Sequence, residues 1–143
     1  MMLYECWTKE IIKAFYEVHN LLGYGFLEQV YQNALYKELK KRGIPCEAQY
    51  QIPVYYKGEL VGRYVADIVV DHCVILELKA VSALREEHEL QLVNYLKATD
   101  FEVGLLLNFG RSAEVKRKIF TTDRKMEIRQ SYQSNMSEED EDI

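Results

Sequence analysis

A β-hairpin is predicted by residues 66–79, which contain Ala66-Asp67-Ile68-Val69-Val70 and, after a short turn, Ile75-Leu76-Glu77-Leu78-Lys79. Both runs are rich in the residues that strands favour. Side chains alternate along a strand, so Glu77 and Lys79 share one face and Leu78 points to the other. A carboxylate and an ammonium on a half-buried face are costly to desolvate unless something pairs with them. A metal ion held between Asp67 and Glu77, with Lys79 beside it, is a chemically sensible reason for this placement.

The length of the turn decides whether the two acids can share a metal. A two-residue loop at positions 71 and 72 would place Asp67 opposite Leu76 and leave Glu77 on the other face. A three-residue loop, Asp71-His72-Cys73, would place Asp67 opposite Glu77. A shared site therefore predicts an odd loop or a bulge in this hairpin.

Carboxylate oxygens are hard ligands that suit Mg²⁺ or Mn²⁺. With Asp67 and Glu77 as ligands, Lys79 could orient a metal-bound water or stabilise developing negative charge. The plain alternative is an ordinary Glu77–Lys79 ion pair on a solvated strand face, which contributes little. From the tripeptide alone this alternative is favoured, because Glu-x-Lys is common on exposed strands.

Two predicted helices carry further polar candidates. Glu28 and Tyr31 lie on one helical stripe, so Glu28 could approach the sheet, although an acid in a first helical turn is also explained by the helix dipole. On the later helix His88, Gln91 and Tyr95 share one face. Gln91 and Tyr95 could hold a phosphate or Lys79, or Tyr95 could pack in the core with Gln91 at its boundary. His88 is read as a polar boundary residue.

The composition fits one domain, residues 1–129, followed by an acidic tail, residues 130–143, of a kind that is usually disordered. Five of the 23 acidic residues lie in residues 137–143, and without them 18 acidic residues balance 18 basic ones, so the body is neutral. No membrane-spanning run is present. Cys6, Cys46 and Cys73 show no metal-binding spacing and are interpreted as reduced thiols, which favours a cytoplasmic location.

Hydrophobic patterning predicts the order α-α-β-β-β-α-β-β, a mixed sheet flanked by helices. A first helix begins near residue 8 and breaks at Gly23 and Gly25, and a second ends at Gly43, which suits a left-handed cap. The remaining elements are predicted at residues 49–56, 60–70 and 74–79 for strands, 83–99 for a helix, and 101–108 and 114–121 for the last two strands.

Taken together, the motifs resemble those of the GxxExxY proteins, a family of the PD-(D/E)XK nuclease-like superfamily. The resemblance runs from about residue 11 to residue 120. It is carried by Gly25-x-x-Glu28-x-x-Tyr31, Ala66-Asp67, Glu77-Leu78-Lys79-Ala80, the run 92–98 and Leu107-Asn108-Phe109-Gly110. It implies an α/β (α+β mixed) fold with a restriction-endonuclease-like core, a mixed four-stranded sheet in αβββαβ order, here with an extra N-terminal helix.

The resemblance also implies roles for individual residues. Asp67 and Glu77 would be the metal-binding acids, Lys79 the catalytic lysine, and Glu28 the acid contributed by the first core helix, so that Asp67, Glu77 and Glu28 form the metal set. Gln91-x-x-x-Tyr95 is similar to the QxxxY element of recombination-type exonucleases in the superfamily. No proline precedes Asp67, where Val65-Ala66 stands instead; this departure removes no ligand.

The leading hypothesis is therefore a Mg²⁺-dependent (or Mn²⁺-dependent) nuclease that hydrolyses phosphodiester bonds in nucleic acid, with DNA the favoured substrate. Basic residues could contact the backbone on either side of the cleft, namely Lys40, Lys41, Arg42, Arg111, Lys116, Arg117 and Lys118. The alternatives are a non-catalytic nucleic-acid-binding or protein-binding module, suggested by 11 tyrosines, and an enzyme of small phosphorylated molecules, which would need a closed pocket. A homodimer or protein partner could supply specificity.

Overall fold

The computed structural model describes residues 7–125, and within them the predicted order of helices and strands is confirmed. The N-terminal pair of helices precedes a three-strand meander, a crossover helix and two further strands. The elements are α1 (Thr8–Leu22), α2 (Glu28–Lys41), β1 (Cys46–Tyr56), β2 (Glu59–Val70), β3 (Val74–Lys79), α3 (Glu86–Lys97), β4 (Val103–Phe109) and β5 (Ala113–Ile119).

The strands form one mixed sheet in the order β1-β2-β3-β4-β5. β3 and β4 are parallel and joined by α3, while the other neighbouring strands are antiparallel. The mixed α/β fold is thus confirmed, with five strands in place of the four implied by the resemblance. The extra strand is β5, which follows β4 along its whole length because the loop at residues 110–112 returns the chain directly to the edge.

Two hydrophobic cores cover the two faces of the sheet. Beneath α1 and α2, side chains such as Phe15, Leu35 and Leu76 are fully buried. On the opposite face, α3 packs Leu92 and Leu96 against the sheet. β4 is buried along its whole length, as its nearly continuous apolar run predicted.

The crossover helix begins later than its sequence suggested. The prediction of a helix over residues 83–99 is wrong at its start, since α3 begins at Glu86 and ends at Lys97. Its first turn is closed by His88, whose Nδ1 accepts a hydrogen bond from the Arg85 backbone N–H at 3.0 Å. His88 therefore satisfies a helix-end donor.

The cysteines differ from their prediction. Cys46 is a free, buried thiol, whereas Cys73 is disulfide-bonded, so the expectation of three reduced thiols is wrong. None of the helices within residues 7–125 is both long and apolar enough to cross a membrane. The predicted domain end at residue 129 and the predicted acidic tail lie outside the described residues.

Candidate active site

The hairpin between β2 and β3 places the two strand acids side by side. Its turn has three residues, since Val70 pairs with Val74, and the register continues through Ile68 and Leu76. Continued by one step, this register brings Asp67 opposite Glu77. The odd loop that a shared site requires is therefore present.

At Asp67 and Glu77 the two strands are joined by hydrogen bonds from backbone N–H groups to carboxylate oxygens, in place of the usual backbone–backbone hydrogen bonds. The Asp67 backbone N–H donates to Oε1 of Glu77 at 3.0 Å, and the Leu78 backbone N–H donates to Oδ2 of Asp67 at 2.8 Å. Each carboxylate is thus fixed by one oxygen to the neighbouring strand. This reciprocal pairing holds both acids in the opening between β2 and β3.

The side-chain alternation of β2 reverses at Asp67. Ala66 packs in the core beneath α3 and Ile68 packs in the core beneath α1 and α2, although residues two apart in a regular strand share a face. Opposite Asp67, Gln49 has a left-handed backbone with φ 56°, and the β1–β2 pairing skips this position. The Gln49 side chain donates to Oε1 of Gln32 on α2 at 3.0 Å. Because of this irregularity, we infer that the Asp67 side chain lies between the two faces of the sheet, within reach of helices on both sides.

Burial governs the electrostatics of the two acids. Glu77 is only 4% exposed, and desolvation followed by the charge of Asp67 raises its pKa to about 8, against the opposing effects of the Asp67 N–H and the Lys79 ammonium. Desolvation also raises the pKa of Asp67, opposed by the Leu78 N–H and by Lys79. Two acids in this environment hold a proton at neutral pH unless a further positive charge approaches them.

Lys79 is half-buried at the end of β3, where it pairs in register with Asn108 of β4. No salt bridge joins it to Glu77 in the described part of the chain. The alternative of a solvated Glu77–Lys79 ion pair is therefore wrong, since Glu77 is buried and the pair is not formed. The ammonium is close enough to lower the pKa values of Asp67, Glu77 and Glu28.

Glu28 reaches the site from the other side of the sheet. It is the first residue of α2 and lies exposed, so it also complements the helix dipole. Partial burial of its carboxyl and the charge of Asp67 raise its pKa, while Lys79 lowers it. Among residues 7–125, no three His, Cys, Asp or Glu side chains form a ready-made metal cage. Glu28 thus lies within electrostatic reach of the strand acids without completing a cage with them.

The loop before Glu28 is closed by Tyr31, a role that sequence reasoning missed. Tyr31 is fully buried, and its hydroxyl donates to the Gly23 carbonyl at 2.7 Å and accepts from the Phe26 N–H at 3.2 Å. Its ring stacks on Phe109 of β4 with centroids 4.5 Å apart. Gly25, with φ 110°, supplies a conformation that L side chains rarely adopt. The glycine and tyrosine of this motif therefore build the loop that presents its glutamate.

Gln91 and Tyr95 approach the acids from α3. Gln91 Nε2 donates to the Tyr95 hydroxyl at 3.0 Å, and Tyr95 is 4% exposed. Burial, and then the charge of Glu77, raise the pKa of Tyr95 to about 12. The interpretation that Tyr95 packs in the core is confirmed, while its role in holding a phosphate or Lys79 stays a prediction.

A second polar group missed by sequence reasoning fixes the loop after Lys79. Asn108 is fully buried; its Oδ1 accepts from the Val81 N–H at 3.0 Å, and its Nδ2 donates to the Val81 carbonyl at 2.9 Å and to Glu114 at 2.7 Å. Gly110 lets the chain pass close to Val81, since an added Cβ would overlap its carbonyl oxygen. A lone asparagine within the apolar run of β4 was the available signal.

Three of the basic residues lie at separate places on the fold, and their contact with nucleic acid stays a prediction. Lys40 follows Glu28 by 12 helical positions, which places it about 18 Å away at the other end of α2. Lys118 pairs with Glu89 at 2.8 Å and so joins β5 to α3. Arg111 lies nearer the Glu28 loop, where it donates to the Tyr24 hydroxyl at 3.1 Å.

Comparisons with known proteins support the fold and identify a superfamily. A structure described as "Crystal structure of SSO0001" has 17% sequence identity and a TM-score of 0.55; the similarity covers 76% of this chain and 58% of that one, and it supports the fold alone. No curated protein matches the chain. The sequence model of the PD-(D/E)XK nuclease superfamily matches residues 5–119, and the chain belongs to this superfamily.

Proposed function

We propose that this protein is a Mg²⁺-dependent nuclease that hydrolyses phosphodiester bonds in DNA, within the GxxExxY group of its superfamily. One observation carries the proposal. Asp67 and Glu77 lie side by side, with Glu77 buried and Asp67 half-buried, and each is fixed by a single oxygen to the backbone of the neighbouring strand. Placing two neighbouring carboxylates away from water costs folding free energy if the strands are purely structural. A bound cation would offset that cost by neutralising their charge.

The donor set fits a hard divalent cation. Asp67 and Glu77 offer carboxylate oxygens, the ligands that Mg²⁺ and Mn²⁺ prefer. A cation would also offset the desolvation that raises the pKa values of both acids and the repulsion from Asp67 that raises the pKa of Glu77 further. Two carboxylates would leave room around a bound cation for water and a substrate phosphate. When bound, the cation lowers the pKa of its water and stabilises charge on the phosphoryl oxygens.

The other residues have roles that follow from their positions. Lys79, without a salt bridge to Glu77, can orient the attacking water and stabilise negative charge that develops on the phosphate. Glu28 would add a third carboxylate that could hold the cation or orient a water beside the strand acids. The Gln91–Tyr95 pair can donate a hydrogen bond to a phosphate at the α3 side of the acids.

A cleavage assay tests the proposal. Purified protein is incubated with labelled single-stranded, double-stranded and branched DNA and RNA in Mg²⁺, Mn²⁺ or chelator. We expect metal-dependent cleavage that falls about 100-fold or more in Glu77→Gln and Lys79→Ala, as for the loss of one transition-state stabilising group. Glu10→Gln, which changes an acid in the first turn of α1, is the matched control and should retain activity.

Two results would contradict the nuclease assignment. Activity that persists in both site variants would belong to a contaminant. Absence of Mg²⁺ and Mn²⁺ binding by calorimetry, even with nucleic acid present, would favour the non-catalytic alternative.

A specific surface favours that alternative as the second candidate. Tyr55 and Tyr56 are 63% and 56% exposed at the tip of the β1–β2 hairpin. Leu60, which pairs with Tyr55, precedes Asp67 by seven strand residues, about 23 Å. Exposed tyrosines this far from the acids suit a protein interface, either with a partner or in a homodimer.

The cytoplasmic location stays a prediction, and the disulfide bond of Cys73 removes part of the reason for it, which was the interpretation of the cysteines as reduced thiols.

A further inference from the structure

An open groove lies against the candidate active site on the α3 side. It has a volume of about 420 Å³, within the range of roughly 300–1,000 Å³ that small ligands and ligand fragments occupy. Its lining includes Tyr64 from β2 and Gln91, Asn94 and Tyr95 from α3. Tyr95 of the lining packs in the same core as Ala66, which precedes Asp67 on β2. A molecule that fills the groove would therefore lie beside the site where we propose hydrolysis.

Tyr64 is the aromatic surface that this groove offers to a ligand. It is 49% exposed, and its ring centroid lies 5.4 Å from that of the buried Tyr95, at an interplanar angle of 42°. It precedes Asp67 by three residues on the same strand. A half-exposed ring that is supported from below by a second ring provides a rigid stacking surface.

Within residues 7–125, the groove offers no Lys or Arg to a phosphate and suits a neutral ring. The lining contains one acid, Glu87, and no Lys or Arg among the residues that the structure describes. Gln91 and Asn94 carry amides, which donate and accept hydrogen bonds at the edge of a nucleobase. The groove therefore combines a stacking ring, two amides and the imidazole of His88, with no Lys or Arg in its described lining.

We propose that this groove binds the base of one unpaired nucleotide while an adjoining phosphate lies at Asp67 and Glu77. This inference rests on the proposed nuclease function and deepens it by naming the substrate class. A base can stack on Tyr64 only after it leaves a duplex, because paired bases present only their edges. The protein should therefore prefer single strands, flaps and frayed ends to intact duplex.

An abasic scan tests the inference. A series of single-stranded oligonucleotides, each lacking one base at a different position, is compared with the intact strand for binding and cleavage in Mg²⁺. We expect one position at which loss of the base weakens binding by about 5- to 150-fold, the equivalent of roughly 1–3 kcal/mol for one base–aromatic stack. Tyr64→Leu should remove that difference and Tyr64→Phe should retain it. Tyr16→Leu, which changes a half-exposed tyrosine of α1 outside the groove, should behave as wild type.

The outcomes separate the two proposals. Cleavage that is equal on intact and abasic strands at every position, or a base dependence that survives Tyr64→Leu, would overturn the groove assignment and leave the nuclease proposal standing. Failure of the wild-type protein to bind or cleave any strand would overturn the nuclease proposal, and the groove assignment with it. Thermal unfolding of each variant confirms that the half-exposed position tolerates substitution.

Discussion

Replacing Glu77 with glutamine should make the metal-free protein less sensitive to alkaline pH. In the folded protein the pKa of Glu77 is about 8, against an ordinary value of 4.5. The folded state therefore binds more protons than the unfolded state between these values, so the free energy of unfolding falls as pH rises through this window. At about 1.4 kcal/mol per pH unit, the difference amounts to up to about 5 kcal/mol. Glu77→Gln abolishes this titration and keeps an oxygen that can accept the Asp67 N–H.

The assay is urea unfolding in chelator at a series of pH values from about 5 to 9, with the slope interpreted by proton linkage. Wild-type stability should fall steeply with pH, whereas the variant should show a shallower fall, to which Asp67 and Glu28 still contribute because their pKa values are also raised. At the alkaline end the variant should be the more stable protein. Glu10→Gln should follow the wild-type curve.

Repeating the unfolding measurement with Mg²⁺ tests whether the same acids bind a metal. Millimolar Mg²⁺ should stabilise the wild type most at alkaline pH, where both acids are ionised, because a ligand that binds only the folded state raises stability by mass action. The same addition should have little effect on Glu77→Gln. Parallel pH curves for the two proteins in chelator would refute the reasoning, since they would mean that Glu77 is not the group whose burial is costly.

Two further predictions concern the loops that frame the site. Tyr31→Phe should lower the free energy of unfolding by about 1–3 kcal/mol, measured by urea denaturation, because the Gly23 carbonyl loses its hydroxyl donor; an unchanged value would show that water replaces the hydroxyl. Gly110→Ala should cost about 1–3 kcal/mol or more, measured by thermal unfolding, because its Cβ would overlap the Val81 carbonyl. Gly62→Ala is its matched control, since nothing lies within 4 Å of an added Cβ there, and equal costs would contradict the overlap.

Local sequence patterns predicted most of the fold correctly. The alternation of residues 66–79 and the three-residue turn predicted a register that the structure confirms. The left-handed Gly43 and the end of α1 before Gly23 were predicted from the backbone freedom of glycine. These features depend on neighbours within a few residues, so a single sequence contains the information that determines them.

A distant contact caused the error at Glu77, and a local hydrogen bond caused the error at the start of α3. The sequence allowed Glu77 and Lys79 to be an exposed ion pair, and only the packing of α3 over this face buries Glu77. The predicted start of α3 was too early because a helix start at Glu86 depends on which side chain satisfies the free backbone donors, here His88.

By itself the sequence determined which residue types and which register were available at the site. Tertiary structure alone decided that α2 and α3 converge on Asp67 from opposite faces, as the influence of Asp67 on the pKa values of Glu28 and Tyr95 indicates. It also decided that the β2 alternation reverses there, opposite the left-handed Gln49. The physical reason is that side-chain periodicity is a local property of the backbone, whereas desolvation and charge coupling depend on every element packed around a group.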